Sequence, residues 1–352
     1  MRVIEINLNN LKDNVRAIKA KAGTRLLAVV KADAYGHGLV ECAKAAIEAG
    51  ADYLGVALLE EAITLRDSGI TAPIIAWLIP PGSNFALAIE KDIELGISSI
   101  NVFREAKGAK IHLEVDTGMT RGGFLDEWQP LLEEEDLSNV VGIFTHFANA
   151  DQPESMKNIE QRKLFDLAVA QLEAKGVKPI RHIANSSDVL ANEENKYDMV
   201  RSGITLYGLS PSPKVFGSGR ELGLKPVMKV KAQLVLVKKV PANTAVGYGA
   251  TEFTKEDTYV GIVEMGYADG IPRIARDAGV TFNGKAAPII GRVSMDQFTV
   301  NLGADTDAKS GDLVTVIGEE FDADKWGSAS GSINYEIVTR ISPRIKRVYV
   351  SN

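Results

Sequence analysis

Lys31 stands where an apolar strand is predicted to end, a position at which a lysine can react with a carbonyl compound. Residues 25–30 form a short run rich in branched side chains, which is typical of a strand buried on both faces in a parallel sheet. Removal from water lowers the pKa of a lysine and frees the neutral amine that a Schiff base requires. Lys31 is therefore a candidate anchor for pyridoxal phosphate. A single lysine so placed more often only extends its ammonium into water, so the interpretation depends on its neighbours.

The elements around Lys31 repeat as a strand followed by a helix. Eight short apolar runs follow one another, most of them separated by helical patterns such as residues 39–49, 59–67 and 155–175. This alternation predicts parallel strands, and eight such units predict a (β/α)8 TIM-type barrel. The helices of the third and fourth units, residues 84–91 and 101–108, have the weakest patterns. The predicted strands are residues 26–31, 53–58, 74–78, 93–98, 111–116, 141–147, 180–186 and 199–207.

Polar residues at the carboxyl ends of these strands are predicted to meet, because the active sites of such barrels lie there. The hydroxyls of Ser186 and Tyr35 and the amides of Gly203 and Ile204 could donate hydrogen bonds to a phosphate. Each residue alone is a weak signal, since a single histidine such as His146 is more often structural. The strand-end set is Lys31, Tyr35, Asp116 to Arg121, His146, Asn185, Ser186, Arg201, Gly203 and Ile204.

The pattern changes after the eighth predicted strand. Apolar and basic residues alternate over residues 227–240, and strands punctuated by Gly and Pro follow, which predicts a second, all-β domain. Asn283-Gly284 is the strongest turn signal for a hairpin. We expect a barrel domain over residues 1–224, including a short strand at Arg2–Asn7, and a β-strand-rich domain over residues 225–352. The later strands are predicted at residues 259–265, 280–282, 287–290, 298–302 and 313–317.

Composition narrows the class of protein. The chain has 352 residues, 45% of them hydrophobic, and a net charge of -6, so it is expected to be globular with neither nucleic acid nor membrane as a partner. Cys42 is the single cysteine, which excludes an intrachain disulfide, and no metal site is predicted. The polar residues near Met1 do not form a secretion signal, so we expect a cytoplasmic protein.

Together with four later motifs, the strand-end set closely resembles the alanine racemase family. The lysine motif and the motif around Tyr248 are specific as a pair. The resemblance implies a pyridoxal-phosphate-dependent isomerase that interconverts L- and D-alanine and supplies D-alanine for peptidoglycan. It also implies a head-to-tail homodimer with active sites shared between the subunits. The later motifs are residues 246–251, 266–270, 291–296 and 333–336.

The resemblance also implies roles for individual residues. Lys31 would hold the cofactor covalently and Tyr248 would be the second acid/base, with His146 hydrogen-bonded behind it. Arg201 would face the pyridine nitrogen of the cofactor. Cofactor contacts are implied for Lys31, Tyr35, His146, Asn185, Ser186, Arg201, Gly203, Ile204 and Tyr335. Substrate contacts are implied for Arg121, Tyr267, Met295 and Asp296.

These roles agree with the chemistry of racemisation. One group must take a proton from Cα on one face and another must donate a proton on the opposite face, so Lys31 and Tyr248 form the required pair. A tyrosine with a pKa of about 10 is a poor base at neutral pH, so cationic neighbours such as Arg201 are needed. Because an arginine can only donate, it leaves the pyridine nitrogen unprotonated, which disfavours transamination.

Two positions depart from the family pattern. Glu114 stands where many members carry a lysine that becomes carbamylated, and we expect its carboxylate to hold Arg121 by a charge-assisted hydrogen bond. Ser294 stands where many members have a cysteine, for which we expect only a local packing difference. Neither residue belongs to the predicted proton-transfer pair.

Three other functions are alternatives to this one. A racemase of broader substrate range differs only in the width of the pocket. A barrel-type amino-acid decarboxylase presents a carboxylate to the pyridine nitrogen and a Gly-rich phosphate loop, which Arg201 and residues 183–186 do not match. A cofactor carrier consisting of a barrel alone would lack the β domain and Tyr248.

Overall fold

The protein is described here from a computed structural model, in which residues 1–134, 136–192 and 194–351 are described. Contacts between Cα atoms divide the chain into two compact units. The barrel unit comprises Asn10–Ala34 and Leu39–Lys225, and the β unit comprises Met1–Asn9, Tyr35–Gly38 and Pro226–Asn352. Among the described helices, none combines the length and the apolar character that crossing a membrane requires.

The elements are numbered in chain order. The strands are β1 (Arg2–Asn7), β2 (Arg25–Val29), β3 (Tyr53–Val56), β4 (Ile74–Ala76), β5 (Glu94–Ile97), β6 (Ile111–Glu114), β7 (Val140–Phe144), β8 (Ile180–His182), β9 (Met199–Ser202), β10 (Met228–Val240), β11 (Ala245–Val246), β12 (Glu252–Phe253), β13 (Thr258–Val263), β14 (Gly279–Phe282), β15 (Lys285–Pro288), β16 (Phe298–Gly303), β17 (Leu313–Ile317) and β18 (Lys346–Val350). The helices are α1 (Leu8–Ala22), α2 (Lys31–Gly36), α3 (Leu39–Glu48), α4 (Leu59–Asp67), α5 (Phe85–Glu90), α6 (Ile100–Glu105), α7 (Trp128–Leu132), α8 (Met156–Ala174), α9 (Ser186–Ala191), α10 (Pro213–Phe216), α11 (Ala323–Ser330) and α12 (Asn334–Thr339). Short 3-10 turns lie at Ile204–Tyr207, Tyr248–Ala250 and Tyr267–Asp269.

The barrel unit is a nearly closed barrel of eight parallel strands, which confirms the predicted fold. Along the sheet the order is β9, β2, β3, β4, β5, β6, β7 and β8. Leu26 and Leu27 of β2 are fully buried, as expected for a strand covered on both faces. The outer strands approach each other where the Arg201 amide donates to the carbonyl of Ala184 at 3.0 Å. Each of the eight predicted strands corresponds to one of these barrel strands.

The β unit is built around the long strand β10, which pairs with β1, β13 and β17. The β14–β15 hairpin turns at Asn283 and Gly284, both with positive φ, so the hairpin prediction is confirmed. The expectation of an all-β domain is wrong in one respect, because α11 and α12 also belong to this unit. Trp326 of α11 is fully buried and donates through Nε1 to the carbonyl of Val316 on β17, which anchors the helix on the sheet.

Strand β1 lies in the β unit, whereas the sequence predicts it as part of a barrel domain over residues 1–224. Its pairing explains the difference: β1 is antiparallel to β10 and parallel to β18, and Ile4 and Ile6 are fully buried. Partners this far away in the chain leave no local signal in the sequence. The predicted boundary between residues 224 and 225 stays a prediction.

Candidate functional site

Lys31 follows β2 directly and begins the short helical segment α2. The φ angles of Ala32, Asp33, Ala34 and Tyr35 lie between 52° and 55°, so this segment is a left-handed turn formed by residues other than glycine. Such a conformation costs about 1–2 kcal/mol for each residue. Two contacts within the barrel unit hold the turn: the Ala34 amide donates to the carbonyl of Val30 at 2.8 Å, and the Ala32 amide donates to Glu61 at 2.6 Å.

The surroundings of Lys31 favour a neutral amine. Its side chain is half-buried, and Nζ lies 5.7 Å from the centre of the Trp77 ring. Burial is the main cause that lowers the pKa of Lys31, and the charges of Arg121 and Arg201 lower it further, while Glu61 acts in the opposite direction. A larger neutral fraction makes the amine a better nucleophile toward an aldehyde.

Arg201 is buried on β9, and its terminal nitrogens are fully engaged. Nη1 donates to the carbonyl of His182 at 2.5 Å and contacts the Nδ1 atom of the same residue at 3.3 Å. Nη2 donates to the carbonyls of Thr145 and Ile183 at 2.7 and 3.3 Å. Burial lowers the pKa of Arg201 to about 10, so the guanidinium is charged at neutral pH. Within the described chain, Nε–H of Arg201 has no acceptor.

His146 follows β7 and receives a hydrogen bond from Arg201. The Nδ1 atom of His146 lies 3.3 Å from Nη2 of Arg201, and Gln161 holds the backbone by donating to the His146 carbonyl at 2.9 Å. Burial and then the charges of Arg201, Arg121 and Lys31 lower the pKa of His146 to about 3. The imidazole is therefore neutral at neutral pH. Since Nδ1 accepts from an arginine, the ring hydrogen resides on Nε2.

Ser186, Gly203 and Ile204 lie together next to the last barrel strand. Ser186 is buried, and its Oγ accepts from the Gly203 amide at 3.0 Å. Ile204 opens the 3-10 turn, so its amide has no acceptor within that turn. Asn185 caps α9, because its side-chain oxygen accepts from the amides of Ser187 and Asp188. These four sequence-predicted residues are thus close to one another in the structure.

Arg121 and Glu114 do not form the expected hydrogen bond among the described residues. Glu114 Oε2 instead accepts from Ser98 Oγ at 2.6 Å, and the Glu114 charge raises the pKa of Arg201. Arg121 is exposed, in a loop that Asp116 shapes by accepting from the Gly118 and Thr120 amides at 2.8 and 3.0 Å. The hydroxyl of Ser98, and not the guanidinium of Arg121, is thus the hydrogen-bond donor to this carboxylate.

In the β unit, Tyr35 and Tyr335 lie side by side. Their ring centres are 6.2 Å apart at an angle of 47°. Burial raises the pKa of Tyr35, so its hydroxyl keeps its hydrogen and can donate. Gly36 fits against α12, because a Cβ atom at this position would lie 2.3 Å from the carbonyl oxygen of Val338. Two tyrosines predicted to bind phosphate, one on α2 and one on α12, are thereby held next to each other.

Tyr248 projects from the surface of the β unit. It lies on the 3-10 turn between β11 and β12, and 68% of its surface is exposed. Val246 anchors this hairpin in an apolar cluster with Val240, Val260 and Ile290. An exposed tyrosine on an anchored hairpin is accessible to a partner or a substrate.

Tyr267, Met295 and Asp296 belong to two loops that are joined by hydrogen bonds. The amide of Tyr267 donates to the carbonyl of Ser294 at 3.0 Å, and the amide of Ala268 donates to the carbonyl of Met295 at 2.9 Å. Arg344 donates to Asp269 at 2.7 Å and to Asp296 at 2.8 Å. The side chains of Tyr267 and Met295 remain exposed. The structure therefore brings together three of the residues that the resemblance implies as substrate contacts, Tyr267, Met295 and Asp296.

Several residues near the site were missed by sequence reasoning. Trp77 follows β4 directly, and this strand-end position was a signal that could have identified it. Glu61 lies on α4, and no sequence feature links it to Lys31. Glu94, His112 and His182 lie on barrel strands, where a charged or imidazole side chain interrupts an apolar run. Such interruptions are the one sequence signal for polar residues inside a barrel.

The fold and the site together define a barrel enzyme with a half-buried lysine at the end of a barrel strand and a second, mainly β unit. Two family models match the chain: the alanine racemase N-terminal domain over residues 6–211 and the alanine racemase C-terminal domain over residues 227–349. The alanine racemase of Beutenbergia cavernae is 42% identical over 98% of this chain and 97% of its own length. That of Streptomyces coelicolor is 42% identical over 99% of this chain and 95% of its own length. The chain belongs to the alanine racemase family.

Solved structures agree with this assignment. The crystal structure of alanine racemase from Streptomyces lavendulae superposes with a TM-score of 0.96, at 41% identity, over 100% of this chain and 97% of the other. The alanine racemase of Streptomyces coelicolor gives a TM-score of 0.95 at 40% identity, over 100% and 98% of the two chains. The likeness therefore extends over both units of the chain.

Proposed function

We propose that this protein is a pyridoxal-phosphate-dependent alanine racemase, an isomerase that interconverts L- and D-alanine. The observation that carries the proposal is the half-buried Lys31 at the end of β2, whose pKa is lowered by burial and by nearby arginines. Close relatives over the full length bear the name alanine racemase, which supports the same reaction and substrate. The cofactor supplies the conjugated ring that accepts electrons from the substrate Cα.

The donors in the barrel unit fit this cofactor. An aldehyde would react with the amine of Lys31, and a phosphate would accept from Ser186 and from the amides of Gly203 and Ile204. Arg201 keeps its Nε–H without an acceptor in the described part of the chain, so it can donate to a ring nitrogen. Tyr35, Asn185, His146 and Tyr335 complete the proposed cofactor contacts that the family resemblance implies.

Two groups of the chain would move the protons. Lys31 and Tyr248 would each exchange a proton with the substrate Cα from opposite faces, which inverts the configuration. His146 is neutral and donates only through Nε2, so it can stabilise a deprotonated tyrosine without carrying charge itself. Arg121, Tyr267, Met295 and Asp296 are proposed to contact the substrate.

The assembly and cellular role are part of the proposal. We infer a homodimer in which Tyr248, Tyr267 and Met295 of one subunit complete the site of the other. The exposure of these three side chains supports this arrangement. A boundary between the two domains at residues 224 and 225, a cytoplasmic location and the supply of D-alanine for peptidoglycan are proposed with it.

Labelling of Lys31 tests the proposed cofactor site. The protein loaded with pyridoxal phosphate should be yellow, and borohydride reduction followed by peptide mapping should place the label on Lys31. Lys31→Arg should remain unlabelled. A label on another lysine, or a protein that stays colourless with added cofactor, would refute the assignment.

Initial rates on enantiomers test the substrate. We expect L- and D-alanine to be interconverted faster than the enantiomers of serine or lysine. Equal rates on serine or lysine would instead identify a racemase of broader range. Release of carbon dioxide without racemisation would identify a decarboxylase.

A further inference from the structure

A chain of buried polar side chains crosses the barrel and ends at Arg201. Glu94 begins β5, His112 lies on β6 and His182 ends β8. His112 Nε2 lies 2.7 Å from Glu94 Oε2, and His112 Nδ1 lies 2.9 Å from His182 Nε2. His182 Nδ1 in turn lies 3.3 Å from Arg201 Nη1. All four side chains are buried.

We propose that Glu94, His112 and His182 are positioning residues for Arg201, which they hold in one orientation through a hydrogen-bonded chain of fixed direction. We name the set of Glu94, His112 and His182 the imidazole chain. Its proposed effect on the reaction rests on the proposed function, whereas its hydrogen-bond direction does not.

The two ends of the imidazole chain determine its direction. A guanidinium can only donate, so Nδ1 of His182 must accept from Arg201 and cannot carry a hydrogen. Burial, together with His112 and Arg201, keeps the pKa of His182 well below its ordinary value, so this ring is neutral and its hydrogen is on Nε2. His182 therefore donates to Nδ1 of His112. His112 then donates from Nε2 to Glu94, whose carboxylate can only accept.

The barrel provides space for this arrangement at Gly142. Strand β7 lies between β6 and β8, and a Cβ atom at Gly142 would lie 1.9 Å from Nδ1 of His112. The absence of a side chain there lets the His112 ring pass over β7 to His182. Phe144 stacks on His182 with ring centres 5.1 Å apart and an angle of 13°, and Arg201 lies 5.5 Å from the Phe144 ring. These contacts restrict the rotation of both groups.

The edge of the Arg201 guanidinium that carries the two Nη atoms is fully engaged in hydrogen bonds. Its Nη atoms donate to the imidazole chain, to His146 and to three backbone carbonyls, and its Nε–H alone has no acceptor among the described residues. The carboxylate of Glu94 supplies a negative charge at the far end of the chain. A displaced guanidinium would lose its alignment with any acceptor at the barrel mouth, and a misplacement of 1 Å can cost about 100-fold in rate.

Glu94→Gln tests the direction of the hydrogen bonds, because it changes the donor capacity of this side chain and hardly changes its shape. A carboxamide has nearly the same shape as a carboxylate but can donate as well as accept. If the new carboxamide donates a hydrogen bond to Nε2 of His112, the direction of donation is reversed through both imidazoles. A hydrogen then lies on Nδ1 of His182, where it faces the N–H of Arg201. Two donors facing each other repel, so part of the population should move the guanidinium. Glu90→Gln is the matched control, because Glu90 is exposed at the end of α5.

Nitrogen NMR of the histidines tests the direction without any reaction. The chain has only four histidines, so 15N-labelled histidine gives few signals, and His37→Gln and His146→Gln assign two of them. In the wild-type protein at pH 7, His112 and His182 should each show a protonated Nε2 and an unprotonated Nδ1. Glu94→Gln should shift these signals, whereas Glu90→Gln should not. A protonated Nδ1 or a charged ring on either residue in the wild-type protein would overturn the proposal.

Product analysis of the loaded enzyme tests the positioning role. We expect Glu94→Gln to lower kcat by about tenfold or more, with little change in KM, and to raise the ratio of pyruvate to racemised alanine. Unchanged kcat and product ratio, with the NMR direction as predicted, would show that the chain does not position Arg201 for the reaction. If the wild-type protein racemises nothing, the proposed function fails, while the NMR result still decides the direction of the imidazole chain.

Discussion

Glu114 stands where many family members carry a lysine that becomes carbamylated, and its carboxylate accepts a hydrogen bond from Ser98. A carbamylated lysine forms by reaction with carbon dioxide, whereas Glu114 carries its carboxylate permanently. The wild-type activity should therefore not change when bicarbonate is removed or added. Glu114→Gln keeps an acceptor for Ser98 but loses the charge that raises the pKa of Arg201. We expect this variant to lose about tenfold in kcat/KM, equivalent to about 1.4 kcal/mol.

Ser98→Ala is the matched control for Glu114→Gln, because it removes the hydrogen bond between Ser98 and Glu114 and keeps the charge of Glu114. Its activity should fall less than that of Glu114→Gln. Full activity in Glu114→Gln, or activation of the wild-type protein by bicarbonate, would contradict this interpretation.

Asp188 is a buried carboxyl that should make stability depend on pH. Burial raises its pKa from 3.8 to about 6, and the side chain has one oxygen without a partner among the described residues. The folded state therefore binds the proton more tightly than the unfolded state. Its stabilising effect is complete below pH 3.8 and is lost as the pH rises through about 6.

Asp188→Asn should remove this dependence. At pH 8 the variant should be more stable than the wild-type protein by up to about 3 kcal/mol, and the difference should vanish near pH 4. Urea unfolding at matched cofactor content measures it, with the exposed Asp305→Asn as a control. A variant that is equally destabilised at both pH values would show that Asp188 acts only through its hydrogen bond with Asn195.

At the scale of elements, the left-handed turn in α2 predicts an unusual response to glycine. Ala32 is exposed with φ of 53°, a conformation that costs alanine about 1–2 kcal/mol and glycine almost nothing. Glycine also increases the conformational entropy of the unfolded chain, which lowers the free energy of unfolding by about 0.4–1 kcal/mol. Ala32→Gly should therefore raise the free energy of unfolding by about 0.5 kcal/mol.

Ala17→Gly provides the comparison, because Ala17 is exposed in the right-handed helix α1. There glycine should lower the free energy of unfolding by about 1 kcal/mol. Denaturant unfolding of both variants measures the two effects. An equal loss of stability at the two positions would contradict the role assigned to the turn.

The strands of the barrel could be predicted from the sequence because each is an apolar run bounded by polar residues. The strand-end residues of the site followed from that assignment. The left-handed turn could not be predicted, since Ala32 and Ala34 ordinarily favour right-handed helices. The imidazole chain was also missed, because the hydrogen bond between His112 and His182 joins strands far apart in sequence.

At the scale of the whole molecule, the proposed dimer predicts complementation between two inactive variants. Lys31→Ala and Tyr248→Phe should each be nearly inactive as homodimers, because every site then lacks one proton-transfer group. When the two are unfolded, mixed equally and refolded, half of the dimers should be mixed. One site of each mixed dimer would hold both substitutions and the other none, so about a quarter of the wild-type activity should return.

Subunit exchange must be demonstrated for this test, for example by a tag on one variant that co-purifies the other. Each variant refolded alone is the control and should stay inactive. Exchange without recovered activity would mean that Lys31 and Tyr248 act within one chain, and the shared-site arrangement would then be wrong.

The left-handed turn has a stereochemical consequence for the chain itself. Residues 32–35 adopt a backbone that is strained for L-amino acids and relaxed for their mirror images. Because Cys42 is the single cysteine, a synthetic peptide covering residues 1–41 can be ligated to a recombinant remainder that begins with it. A D-alanine built into position 32 in this way should be accommodated at least as well as the natural residue, whereas at Ala17 it would disrupt α1. A protein proposed to make D-alanine would then contain a D-alanine residue itself, in the segment that follows Lys31.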